Sequence, residues 1–336
     1  MGARIPLPFP FGWFCVAESD ELAAGDVRTV HYFGRDLVLF RGEGGAAHAF
    51  DPYCPHLGAH LGVGGVVVGD TLRCPFHHWR YDGTGRCVEI PYAKRIPPAA
   101  KLHAWPLCER NGLLFVWYHP LGEPPAWEVP ELSEWGSAGW TEPTVRRFEV
   151  RSHPQEMAEN TVDPVHFRFV HGTPRTPEMS ARIEGHVFHA SQGLTFTTPQ
   201  GQVQGGVDIE AHGCGFGVTR FHGVVETLLM ITGAPIDDEL HRTTIRFIVK
   251  KLPGGDEATA NVARAFVAEL ERQYRQDIPI WENKVHLERP VLCDGDGPIA
   301  LLRSFYRQFY AEPEVPEEEQ TAAAGDLLPR GRPARA

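Results

Sequence analysis

With 336 residues the chain is long enough for two domains with sizeable cores. Its composition is ordinary for a globular protein, and a formal charge of −11 argues against nucleic acid or an anionic membrane as main partner. No run of about 18 apolar residues occurs, so no membrane span is expected. "MGARIPLPFPFGWF" matches a signal peptide poorly, and Pro6 stands where a myristoylation signal after Gly2 needs Ser or Thr. The seven cysteines (Cys15, Cys54, Cys74, Cys87, Cys108, Cys214, Cys293) are an odd, scattered set. They predict a reduced cytoplasm, with Cys54 and Cys74 as ligands and the other five as buried small residues.

Residues 12 to about 120 read as short strands. "TVHYFGRDLVLFRGEGGAAHAF" holds two β-rich runs joined by glycines, and "GLLFVWY" is a further strand. "HPLGEPPAWEVPELSEWG" (119–136) is a Pro-rich connection out of this unit. "SHPQEMAENTVDPVHFRFVHG" has helical character up to Gly172. Alternating runs return from about 182 to 251, as in "GLTFTTP" and "LHRTTIRFIVKK", and a long helix follows in "DEATANVARAFVAELERQYRQ". From 312 the chain is low in apolar residues and is expected to be disordered. There are no repeats and no nucleotide loop: "GCGFGV" fails G-x-G-x-x-G at its last position.

Two groups of residues carry chemistry. The first is Cys54-x-His56, seventeen residues, then Cys74-x2-His77. Two thiols and two imidazoles can hold zinc, or a [2Fe–2S] cluster with one iron on each pair. Zinc fingers usually keep like ligands together, whereas here each loop supplies one of each. Each Cys precedes a Pro that stiffens its loop, and Gly58 and "DGTGRC" predict tight turns with amides near the sulfurs. The cluster is favoured. His78 and His60 are read as loop neighbours rather than ligands. This pattern resembles the Rieske proteins. Their high-potential members carry an extra Cys in each loop and a Ser near a sulfide. Ala59, Phe76 and Trp79 stand there instead, which implies a lower potential.

The second group is "DPVHFRFVHG". Asp163 and His166 share a helical face, but His171 falls about 140° further round, so a regular helix does not align the imidazoles. Two histidines and one carboxylate make the facial triad of non-haem iron oxygenases. The stretch resembles the D-x2-H-x4-H motif of Rieske oxygenases. The resemblance implies that His166 and His171 are ligands, with a bulge or break in the helix. It implies that Asp163 bridges His166 to a Rieske ligand, His77, of a neighbouring subunit. The alternative for Asp163 is a cap before Pro164. Asn160 fits a family position near the iron, or is a solvated helix residue. For the third ligand, Val262, Phe266, Leu270 and Tyr274 form an inward stripe that continues to Asp277 and Trp281. A buried carboxylate needs a partner, and iron supplies one. Asp277 also suits the N-cap of a new helix at "IPIWENK". Glu282 and Glu271 are the fallbacks, while His286 and Glu288 are expected on the surface.

"GWFCVAESDEL", "CPFHHWRYDGTGRCVEIPYAKRIPP", "DIPIWENK" and "DGPIALLRSFYRQFY" resemble the Rieske oxygenase branch of 3-ketosteroid 9α-hydroxylase and the cholesterol 7-desaturases, over roughly residues 10 to 311. The fold implied is α+β. An all-β Rieske domain (12–125) precedes a helix-grip, StAR-related-like catalytic domain of antiparallel sheet and helices (126–311), then the tail 312–336. The resemblance implies a cytoplasmic terminal oxygenase in a homotrimer. It takes electrons from an NAD(P)H-dependent reductase or a ferredoxin and uses O2 on an apolar polycyclic, steroid-like substrate. Desaturation, oxidative demethylation or a non-steroid substrate are alternatives, and an electron carrier without oxygenase activity lies outside that class. "GVVETLLMITGAP" and "GCGFGVTRFHG" are candidate substrate walls or plain sheet core.

Overall fold

The computed structural model describes residues 4–173, 176–198, 201–223 and 225–311. The tail expected to be disordered lies outside these residues. Three small antiparallel sheets form the N-terminal part. Gly12–Glu18 pairs with Leu113–Tyr118, which also pairs with Leu107–Arg110. Val27–Tyr32, Arg35–Arg41, Ala47–Phe50 and Ala104–Trp105 make the second sheet, so the run at 29–50 holds three strands rather than two. Phe33 and Gly34, at φ 55° and 68°, turn the first hairpin. The third sheet, Val66–Val68, Thr71–Arg73, Arg80–Tyr81 and Cys87–Glu89, carries the Cys/His loops.

The C-terminal part is built on seven antiparallel strands. In spatial order they are Thr144–Val150, His241–Val249, Thr227–Pro235, Phe216–His222, Gly201–His212, Val187–Thr198 and Met179–Glu184. Alternation along the strands gives the sheet two apolar faces. On one, Phe216, Val218, Leu228, Met230 and Ile248 pack against Trp13, Leu113, Phe115 and Trp117 of the N-terminal part. On that side Arg246, almost fully buried, reaches Glu18 at 2.5 Å and ties the two parts together. The other face, with Phe148, Leu229, Ile231, Ile245 and Phe247, receives the long helix.

Among the described residues four α-helices complete the fold: α1 (Pro154–Ala158), α2 (Pro164–Phe169), α3 (Gly255–Asn283) and α4 (Ile299–Arg307). A 3₁₀ turn, Glu159–Val162, separates the first two, so the segment read as one helix is three short pieces. Of the expected stripe of α3, Phe266, Leu270, Tyr274 and Trp281 pack inward, joined by Val267 and Ile278, while Val262 stands outside that cluster. The helix continues through Pro279 to Asn283, so Asp277 lies inside it and does not cap a new helix. Pro279 removes one amide hydrogen bond, but burial of Ile278 and Trp281 on the sheet keeps the last turns in place. A long helix held in an antiparallel sheet is the helix-grip arrangement, and the whole is α+β as the sequence predicts.

A buried charge network closes the seam between α1, α3 and α4. Glu156, fully buried, meets Lys284 Nζ at 2.7 Å and His286 Nδ1 at 2.7 Å. Glu159 meets Lys284 at 2.9 Å and Arg303 at 2.7 Å. The Lys284 ammonium and His286 hold the Glu156 carboxyl below its ordinary range even though burial works the other way. His286 is therefore an internal residue, contrary to the surface position expected for it, because a fully buried carboxylate recruits it. Glu288 is exposed as expected. Cys293 is also exposed, and Cys15, Cys108 and Cys214 are only partly covered, so of the five non-ligand cysteines Cys87 alone is buried as read.

Candidate metal centres

The loop after Cys54 is turned by Gly58 at φ 74°, whose amide donates to the Cys54 carbonyl at 2.9 Å. The second loop closes where the Cys74 amide donates to the Trp79 carbonyl at 2.8 Å. Both thiols are buried. Burial pushes the Cys74 thiol up, opposed by the amides of Phe76 and His77 and reinforced by the neighbouring Cys54. Tyr81 Oη stands 3.1 Å from Cys54 Sγ. The imidazoles of His56 and His77 lie nearer the surface, with ring centroids 4.6 Å apart. Trp79 stacks on His56 at 4.5 Å, and its Nε1–H donates to Tyr92 Oη at 2.9 Å. The donors are thus sorted, two sulfurs inside and two nitrogens outside, which fits a cluster with unlike ends. His60 Nδ1 accepts the Gly62 amide at 3.2 Å as a turn residue, and His78, exposed at φ 60°, faces away from packing.

The second group forms at a helix end. Asp163 Oδ1 accepts from the amides of Val165 (3.0 Å) and His166 (3.2 Å), capping α2 above Pro164. At the other end the Val170 amide donates to the His166 carbonyl at 2.7 Å, and Gly172 turns away at φ 75°. His171 therefore sits beyond the last helical turn. The five-residue spacing reflects the end of the helix rather than a bulge within it. The rings of His166 and His171 approach to 5.0 Å, and α3 brings Asp277 Oδ2 to 3.4 Å from His171 Nε2. One donor atom from each of His166, His171 and Asp277 lies within 4.8 Å of the others, the only such group among the described residues.

The electrostatics ask for a cation. Burial raises the Asp277 carboxyl, against the pull of His171, His166 and the Asn160 side chain, and Asp277 Oδ1 has no hydrogen-bond partner. Burial lowers His166, favouring a neutral imidazole. Its Nδ1 is occupied by the Asp163 carbonyl, so its Nε2 is free. A carboxylate with an unpaired oxygen beside two imidazoles suits a divalent iron with open positions. Asn160, on the 3₁₀ turn, stands beside Asp277. The fallback carboxylates are engaged elsewhere: Glu271 with Arg146 (2.5 Å) and Arg275 (2.7 Å), Glu282 with the Arg151 amide (3.1 Å). Sequence reasoning missed Gln276, whose Oε1 lies 3.0 Å from His171 Nδ1. Its only signal was its place next to Asp277.

Of the candidate walls, Leu229 and Ile231 face α3, and "GCGFGVTRFHG" offers Phe221 alone on that side. Phe216 and Val218 belong to the opposite face, where a Cβ on Gly215 would meet the Trp13 carbonyl at 2.2 Å.

A Rieske-type domain joined to a two-histidine, one-carboxylate group on a helix-grip scaffold defines the class: an oxygenase with a [2Fe–2S] cluster and a mononuclear iron, an oxidoreductase that needs a separate reductase. Residues 12–105 match the Rieske [2Fe-2S] domain family, and residues 116–310 match the 3-ketosteroid 9α-hydroxylase C-terminal domain family. The chain is 34% identical to a 3-ketosteroid-9-alpha-monooxygenase oxygenase component of Rhodococcus rhodochrous, over 95% of this chain and 86% of that one. It is 33% identical to the cholesterol 7-desaturase of Caenorhabditis elegans, over 92% and 78%. Among solved structures, a caffeine-bound NdmA mutant of Pseudomonas putida CBB5 superposes with a TM-score of 0.72 at 20% identity, covering 88% of this chain and 89% of that one. Dicamba monooxygenase bound to dicamba gives 0.64 at 18% identity, covering 93% and 98%. These two show the shared fold. The chain belongs to the 3-ketosteroid 9α-hydroxylase family of Rieske oxygenases.

Proposed function

We propose that this protein is the terminal oxygenase of a steroid monooxygenase system, hydroxylating an apolar polycyclic substrate. The observation that carries the reading is the 34% identity to a 3-ketosteroid-9-alpha-monooxygenase component along 95% of the chain, together with the convergence of His166, His171 and Asp277. In this reading Cys54, His56, Cys74 and His77 hold the [2Fe–2S] cluster, and His166, His171 and Asp277 hold the iron. The functional division falls near residue 125. When bound, the two centres supply stored electrons and O2 activation. The chain's own part is to hold each imidazole by one nitrogen and to keep water from the site. Leu229, Ile231 and Phe221 carry α3, and with it Asp277, on the apolar face of the sheet.

The chain works as a homotrimer. Leu57, Phe76 and Tyr92 are each about 60% exposed at the Rieske end, and Phe169 is 75% exposed beside the iron group. Docking one end on the other covers both patches. It also sets His77 of the partner subunit near Asp163, whose carboxylate bridges to the His166 side. Asp163→Asn tests that role cleanly, because Asn caps a helix about as well as Asp. The cap survives and only the charge is lost. Both centres should assemble while turnover collapses, and retained turnover would remove the bridge.

Reductase or ferredoxin docks as electron donor, and this chain's free cysteines and acidic charge suit the cytoplasm. No helix among the described residues is long and apolar enough to cross a membrane. The test of function is turnover of a 3-ketosteroid and sterol panel with a surrogate reductase, with oxygen located by product analysis. No turnover of any panel member would sink the steroid assignment. A new double bond would favour desaturation, the second reading, which the cholesterol 7-desaturase relatives support. Two irons per chain instead of about three would leave only an electron carrier.

A further inference from the structure

The two histidines of the iron group are anchored differently. His166 Nδ1–H donates to the backbone carbonyl of Asp163, in its own segment. His171 Nδ1 meets a side chain 105 positions away, Gln276 Oε1, at 3.0 Å. A neutral imidazole carries one N–H, and the partner at one nitrogen decides which nitrogen holds it. With Oε1 as the acceptor, the proton sits on Nδ1, and the Nε2 lone pair is left facing Asp277 Oδ2 at 3.4 Å. An amide turned the other way would donate to Nδ1, move the proton to Nε2 and block the ligating side. Gln276 neighbours Asp277 on α3, so one stretch of helix supplies both a carboxylate to the site and an acceptor to its rim.

We propose that Gln276 is a positioning residue for the mononuclear site: its Oε1 holds His171 in the Nδ1–H tautomer and aims Nε2 at the metal. This rests on the reading of His166, His171 and Asp277 as ligands. A backbone carbonyl cannot be exchanged by substitution, so His166 has a fixed anchor. The anchor of His171 is a side chain and can be tested directly.

The experiment strips the mononuclear metal, keeps the Rieske spectrum as a check on folding, and titrates with Co(II). The visible ligand-field bands of Co(II) report ligand number and geometry. Gln276→Leu should weaken Co(II) binding by about 10- to 100-fold, as loss of a partner behind a metal-bound histidine does, and should alter the bands. Gln276→Glu, whose ionised carboxylate only accepts, should bind Co(II) at least as tightly as the parent, with parental bands. Parental binding in Gln276→Leu, or equal damage in Gln276→Glu, overturns the proposal. His171→Ala separates it from the reading beneath. Unchanged Co(II) binding there sinks the ligand set itself. Lost binding there, with parental binding in Gln276→Leu, sinks the role of Gln276 alone.

Discussion

At the Rieske end all four proposed donors come from two loops within residues 54–77, one leading into the small sheet that starts at Val66 and one inside it. The iron group draws its donors from residues 166, 171 and 277, and no local segment contains it. The first centre depends on turn geometry: Gly58, the two Cys-Pro steps and a few amides. The second depends on two distant segments being pressed together by burial and by the Glu156–Lys284 network. A centre of the first kind should tolerate damage elsewhere in the fold, and one of the second kind should register it.

Substitutions can break this contrast. Asp277→Ala should remove the mononuclear iron and leave the Rieske electron paramagnetic resonance signal intact. Cys74→Ser should do the reverse, abolishing that signal while Co(II) still binds at the iron group. Loss of both centres in either variant would show that they are not independent. Next in size, Glu156→Ala leaves His286 without its carboxylate and Lys284 with Glu159 alone, at a cost of about 1–3 kcal/mol. Denaturation followed in the C-terminal part should show that loss, with weaker Co(II) binding and an unaltered Rieske spectrum.

Acid should act in the same direction. His153 and His241 are buried, and burial pushes their pKa values down to about 4 and about 3. Both stay neutral in the folded chain near pH 5, while the unfolded chain protonates them below its ordinary value of about 6.5. Unfolded chain then binds more protons, so stability falls as pH falls through this window. The loss is about 2 kcal/mol per histidine at pH 5 relative to pH 7. Both residues lie in the C-terminal part, so Co(II) release should precede bleaching of the Rieske cluster in an acid titration. Simultaneous loss would contradict the contrast. The smallest effect sharpens the other side: Tyr81→Phe removes the hydroxyl near Cys54 Sγ. The Rieske potential should fall on voltammetry with the iron group unaffected, since a donor at sulfur favours the reduced cluster.

The same contrast governs what could be read in advance. Cys-x-His and Cys-x2-His declare a cluster because turns place the ligands, and turns are local. His166 and His171 were visible for the same reason, though the helix end that reconciles them depends on Gly172 and on bonds at Val170 and Thr173. Asp277 was reachable because the period of α3 carries across the helix. Pro279 misdirects there, since an Asp-x-Pro step is a usual helix start and only sheet packing keeps this one interior. Gln276 and His286 left no trace, because their partners, His171 and Glu156, are over a hundred residues away. Pairings of that range follow from the tertiary fold and have no local pattern.

Glu156 and Glu159 clasp Lys284, His286 and Arg303 through four ion pairs. The clasp holds the α1–α2 segment against α3 by charges that belong to the protein, so the chain itself brings His166, His171 and Asp277 together. If those three residues hold iron as proposed, a chelator should remove it and fresh iron should restore it without refolding. Iron supply, rather than folding, then sets how much of the enzyme is active.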